Sequence, residues 1–115
     1  MNYDLEERTL KFSKEVLIFL SGLTSSPINN PIISQLVRSA TSVGANYREA
    51  NDALGKKDFI MRMKISRKEA KEVIHWLALI KEANPEFAEE TATLKKEATE
   101  LKNILSSIIS KVESK

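Results

Sequence analysis

The 115-residue chain contains no cysteine. That excludes disulfides, thiolate zinc sites and thiol nucleophiles together, and it fits a reducing compartment. Glycine and proline occur only three times each, so long loops have little to be built from. Aromatic residues make up 6% of the chain. The period-2 alternation of half-buried strands is missing. No uninterrupted apolar run approaches the ~20 residues that span a bilayer. The opening residues, MNYDLEERTLKF, are charged and lack the apolar core of a signal peptide. No membrane association is expected, and the cytoplasm is the expected location. A length of 115 residues fits one domain, 1–115.

What is present is helical periodicity. Leu5, Thr9, Phe12, Val16, Phe19, Leu20 and Leu23 recur at steps of three and four. The turn-rich stretch SGLTSSPINNP ends this segment. Asn30 then offers an N-cap and Pro31 a first helical position. Ile33, Leu36, Val37, Ala40, Val43, Gly44, Tyr47 and Ala50 share one face of a second helix. Gly55 can take a left-handed conformation that ends this helix, and Asp58 can cap the next. A third helix follows through Phe59, Met63, Ala70, Val73, Leu77 and Ile80. Asn84 and Pro85 repeat the cap-and-proline start. A heptad stripe then runs from Phe87 through Thr91, Leu94, Ala98, Leu101, Leu105 and Ile108 to Val112. Four such helices with short connections predict an all-α, antiparallel up-down-up-down four-helix bundle.

The stretch RSATSVGANYREAN, residues 38–51, has the spacing of a buried helix but mostly small inward residues. Glycine inside a helix costs about 1 kcal/mol relative to alanine, so Gly44 needs a reason. Close approach of a neighbouring helix is the simplest. Asn46 and Glu49 are expected to hydrogen-bond a neighbouring helix or to face water. Phe12, Phe19, Val43, Gly44, Phe59, Leu77, Leu94 and Leu101 form the expected core.

The core does not account for every apolar residue. Met61, Ile65, Trp76 and Leu79 fall well away from the core line of the third helix. Tyr3, Leu10 and Leu17, spaced by seven, lie off the core face of the first. Exposed apolar stripes mark interfaces, so homo-oligomerisation is expected. The plainer alternative is a wider core with isolated exposed residues.

The net charge of +2 is too small to name a partner, but its distribution is uneven. Residues 55–71 hold seven basic and two acidic side chains. Lys57, Lys64, Lys68 and Lys71 occupy a narrow arc opposite the core, with Arg67 to one side. Repeated in an oligomer, such a face would attract phosphate backbones through counterion release without reading bases. On one helix alone such a face is usually just a solvated surface.

Signals for catalysis are sparse. Glu72 and His75 form E-x-x-H, half of a helical-bundle di-iron motif, but the chain holds one histidine. No P-loop, dinucleotide fingerprint or nucleophile elbow is present. No metal, cofactor or catalytic residue is expected.

LVRSATSVGANYREAN and KDFIMRMKISRKEAKEVIHWLALI together resemble the small four-helix-bundle proteins encoded within intervening sequences of bacterial large-subunit ribosomal RNA genes. The matching positions are Arg38, Ser39, Ala40, Ser42, Val43, Asn46 and Glu49, then Asp58, Phe59, Lys68, Glu69, Trp76 and Leu77. The pair Tyr47-Arg48 departs from the pattern. The resemblance implies a homopentamer. It also implies kinship with the accessory variability determinant of diversity-generating retroelements, a basic pentamer that binds a reverse transcriptase and nucleic acid. The expectation is therefore a non-catalytic oligomeric scaffold binding RNA or DNA, with a protein partner such as a reverse transcriptase. The alternative is a purely protein-binding or self-assembling module.

Overall fold

Each of the four periodic segments folds as a helix, because each has one apolar face to bury and no proline in its interior beyond the first turn. The structure, a computed structural model, describes residues 4–115. Helix α1 spans Asp4–Ser21, α2 Asn29–Asn51, α3 Lys56–Ala83 and α4 Ala88–Glu113, with a 3-10 turn at Pro85–Phe87 before α4. Among the described residues there is no strand. Helix α1 packs on α2 and α4, and α3 packs on α2 and α4, while the backbones of the diagonal pairs stay further apart. This is the antiparallel up-down-up-down bundle, 47 Å long and about 20 Å across.

The core is one cluster drawn from all four helices. Phe12, Val43, Leu77, Leu94 and Leu101 are buried in it, while Phe19 and Phe59 pack against its edge. Phe19 also meets Phe87 edge to face, ring centres 5.8 Å apart, which ties the end of α1 to the start of α4.

Gly44 is buried where α1 crosses α2. A Cβ there would lie 2.8 Å from Thr9 Oγ1 and 3.1 Å from Thr9 Cβ. The small residues around it serve the same closeness on both flanks. Ser13 of α1 donates to the Ala40 carbonyl at 3.0 Å, and Ser66 of α3 donates to the Val43 carbonyl at 2.6 Å. Hydroxyls reach mid-helix carbonyls only when two backbones approach closely. The segment 38–51 is therefore, first of all, a packing device.

Three boundaries differ from the sequence expectation. The lead into α2 is capped by Ser26, not Asn30. Ser26 Oγ accepts the Asn29 N–H at 2.9 Å, and Asn30 Oδ1 returns the favour to the Ser26 N–H at 3.2 Å. Helix α2 thus begins at Asn29, and Pro31 sits at its third residue, still within the first turn. Gly55 is not left-handed. It is extended, with φ −176°, and stands immediately before α3, where Asp58 accepts weakly from the Leu54 N–H at 3.4 Å. Asn84 does not cap α4. Its side chain turns inward and forms a reciprocal amide pair with Asn29, at 3.1 and 3.0 Å. Both side chains are buried there, so the pair satisfies groups that would otherwise be costly.

Candidate nucleic-acid interface

The outer face of α3 follows from its length and period. Its 28 residues bury Met63, Ser66, Ala70, Val73, Leu77 and Ile80, which leaves the opposite arc to solvent. Lys57, Lys64, Lys68 and Lys71 all lie exposed on that arc. Arg67 stands at its α4 edge and donates to Ser106 Oγ at 3.4 Å. Lys64, Arg67, Lys68 and Lys71 line one shallow depression together with Glu72 and His75. Lys64 is partly neutralised by Glu113 at 3.0 Å. Among the described residues Lys57, Lys68 and Lys71 have no ion-pair partner.

The four apolar residues set aside by the sequence reading do not behave alike. Met61 is 49% and Leu79 39% exposed. Ile65 is half-buried, and Trp76 packs its ring against the core cluster. The Trp76 indole N–H is buried without a hydrogen-bond partner. Met61 and Ile65 line a second depression with Lys57, Lys64 and Lys68, so apolar and basic side chains interleave instead of occupying separate faces. On α1, Leu10 and Leu17 are exposed as expected. Tyr3 lies outside the described residues.

The motif residues of α2 fulfil a different role from the lysines. Arg38 crosses to α3 and grips two carboxylates, Glu69 at 3.2 Å and Glu72 at 2.7 Å. Glu69 is 6% exposed, and Arg38 is its ion-pair partner among the described residues. Ser39 Oγ adds a hydrogen bond to Glu72 at 3.3 Å. Ser42 donates to the Arg38 carbonyl and Asn46 to the Ser42 carbonyl, so both fold back on their own helix. Glu49 is exposed. On the other side of the bundle Arg8 grips Glu97 at 2.7 Å and Glu100 at 2.8 Å. Hydrogen bonding pushes both guanidinium groups above their ordinary pKa, chiefly through Glu97 for Arg8 and through Glu72 for Arg38. Sequence reading missed both clasps. Each partner pair is far apart in the chain, and only the helix register brings it together.

The Arg38 clasp has a testable consequence. Arg38→Ala leaves the Glu69 carboxylate buried and unpaired, whereas Glu69→Gln removes the buried charge itself. Thermal melting should therefore fall further for Arg38→Ala than for Glu69→Gln. Equal losses would mean that water, not Arg38, compensates Glu69.

The E-x-x-H pair is divided between two environments. Glu72 belongs to the Arg38 clasp, while His75 is exposed and meets the Trp76 ring edge to face at 4.8 Å. Among the described residues no cluster of three or more His, Asp or Glu side chains could hold a metal ion. No described helix is long and apolar enough to cross a membrane.

A short-looped all-α bundle with a basic outer helix defines the class: a small helical-bundle protein with one strongly cationic face. The chain belongs to the 23S rRNA-intervening sequence protein family, whose model matches residues 2–107. Among solved structures it is similar to a protein of unknown function from the S23 ribosomal protein family of Bacteroides thetaiotaomicron. The two share 30% identity with a TM-score of 0.87, over 95% of this chain and 97% of that one. A comparison with curated proteins finds no match.

Proposed function

We propose that this protein is a non-catalytic, homo-oligomeric helical scaffold that holds the phosphate backbone of nucleic acid against the outer face of α3. One observation carries the reading: Lys64, Arg67, Lys68 and Lys71 converge on one depression whose only lining carboxylate, Glu72, is already engaged by Arg38. Lysines are point charges on flexible stems, suited to phosphates and not to base edges. A single face of this kind binds weakly, and repetition in an oligomer raises the effective concentration of sites without a new contact. Five copies and a protein partner of the reverse-transcriptase type are what the family resemblance adds. The interleaving of Met61 and Ile65 with the lysines favours a second reading, a purely self-assembling or protein-binding module whose lysines only solubilise it.

Binding of the intact protein to mixed RNA across a salt series separates the two. A log–log slope steeper than about −3 is expected, because several phosphates are contacted at once. A flat dependence leaves the self-assembling module.

The oligomer has its own test. Trp76→Glu would also disturb the core that the ring packs on, so Leu79→Glu is the cleaner probe. Leu79→Glu should melt close to the parent yet scatter light as a 13.0 kDa monomer, with weakened RNA binding. A parent that is itself monomeric removes the interface.

A further inference from the structure

A second group of cations continues the α3 face onto α4. Lys81, Lys95 and Lys96 line a groove between α3 and α4, together with the small residues Ala78 and Ala92 and the buried Leu77 and Thr91. Among the described residues none of the three lysines has an ion-pair partner. The carboxylates along the same route are largely spent. Glu72 is held by Arg38 at 2.7 Å and Glu100 by Arg8 at 2.8 Å, and both arginines sit outside the two depressions. Only Glu82 lines the groove without an ion-pair partner among the described residues. The two arginine clasps thus engage Glu72 and Glu100, while Lys68, Lys71, Lys81, Lys95 and Lys96 have no ion-pair partner among the described residues and Lys64 pairs with Glu113.

The two depressions follow one another along α3. The first is centred near residue 70 and the groove near residue 80, which at the helical rise places them about 15 Å apart. From Lys64 to Lys81 the band is about 25 Å long. Arg67, reaching Ser106, marks where it passes onto the seam.

We propose that Lys81, Lys95 and Lys96 form a second phosphodiester subsite, and that the α3–α4 band as a whole takes the backbone of a nucleic-acid duplex. This rests on the nucleic-acid reading above. Duplex is the fitting class because the two subsites are held on rigid helices and no aromatic ring lines the second. His75 is the one aromatic ring lining the first depression, where it meets Trp76 edge to face at 4.8 Å, and Trp76 packs against the core cluster. Sequence-tolerant single-strand binding draws on exposed aromatic faces. Two fixed subsites about 15 Å apart meet a stiff duplex with less ordering cost than a flexible strand.

The test compares parent, Lys95→Gln/Lys96→Gln and Lys64→Gln/Lys68→Gln as full chains, each checked for an unchanged melting temperature. Each is titrated with 16-base-pair RNA duplex, DNA duplex of the same sequence, and the matching single strand, over a salt series. Removing two phosphate contacts lowers the salt slope by about 2. That drop is expected for both variants on duplex. RNA and DNA duplexes should behave alike if only the backbone is held, and a preference for one identifies the natural source. If Lys95→Gln/Lys96→Gln matches the parent while Lys64→Gln/Lys68→Gln is weakened, the second subsite is overturned and the α3 face stands alone. Single strands binding more tightly than both duplexes overturn the duplex assignment. A parent that binds none of the three sinks the proposal together with the function it rests on.

Discussion

Gly44→Leu should lower the melting temperature by about 10 °C or more. The position is fully buried at the α1–α2 crossing, and even one added carbon meets Thr9 Oγ1 at 2.8 Å and Thr9 Cβ at 3.1 Å. Neither atom can swing clear. Thr9 is itself buried, with its hydroxyl bonded to the Leu5 carbonyl at 2.9 Å. A leucine would have to push the two helices apart. Overpacking of a close crossing costs about 1–3 kcal/mol or more, and for a domain of this size each kcal/mol moves the midpoint by several degrees. Gly44→Ala decides between two opposing effects. Alanine gains about 1 kcal/mol in helix propensity but loses the fit against Thr9. Gly44→Ala should therefore destabilise the parent and lose much of that penalty in a Thr9→Ala background. The two substitutions should be strongly non-additive, as expected for residues in contact. A Gly44→Leu variant that melts like the parent would show that α1 does not cross there.

Changing Lys64 and Lys68 together to glutamate should abolish most nucleic-acid binding while leaving the bundle folded. Both side chains are exposed, and neither supports the core. The one pairing lost is Lys64 with Glu113, each side chain about half exposed, a type of contact worth at most a few tenths to about 1 kcal/mol. The effect on binding is far larger. Two cations vanish from one depression and two anions replace them beside Glu72. Loss of two contacts alone removes about 2 from the salt slope, and charge reversal adds repulsion. A drop of about 10- to 100-fold in affinity at moderate salt is expected, with helical circular dichroism unchanged. Lys64→Gln/Lys68→Gln should fall between parent and reversal. If the glutamate variant holds RNA as the parent does, the face is a solvated surface and self-assembly becomes the better account.

Much of this molecule was legible in the chain itself. Period, length and polarity set four helices and their apolar faces, since burial of one stripe per helix is a local demand that neighbours in sequence express. Short connections set the antiparallel order. The lysine arc of α3 was equally legible, because residues three and four apart on one helix share a face whatever surrounds them. Even Gly44 announced a crossing, although not that Thr9 stands across from it.

The tertiary structure decided everything that depends on which helix faces which. It showed that Ser26 and not Asn30 caps the lead into α2, and that Asn84 pairs with Asn29 across the bundle end. These amides and hydroxyls have several local partners open to them, and packing chooses among those of similar energy. It separated half-buried Trp76, which packs against the core cluster, from exposed Met61 and Leu79 on the same helical stripe. Above all it placed Arg38 on Glu69 and Glu72, and Arg8 on Glu97 and Glu100. Charge counted along the chain treats those acids as partners for the nearest lysines. Once the helix register gives them to arginines on other helices, the lysines of α3 and α4 other than Lys64 are left without an ion-pair partner among the described residues, a property of the assembled surface that no single segment contains.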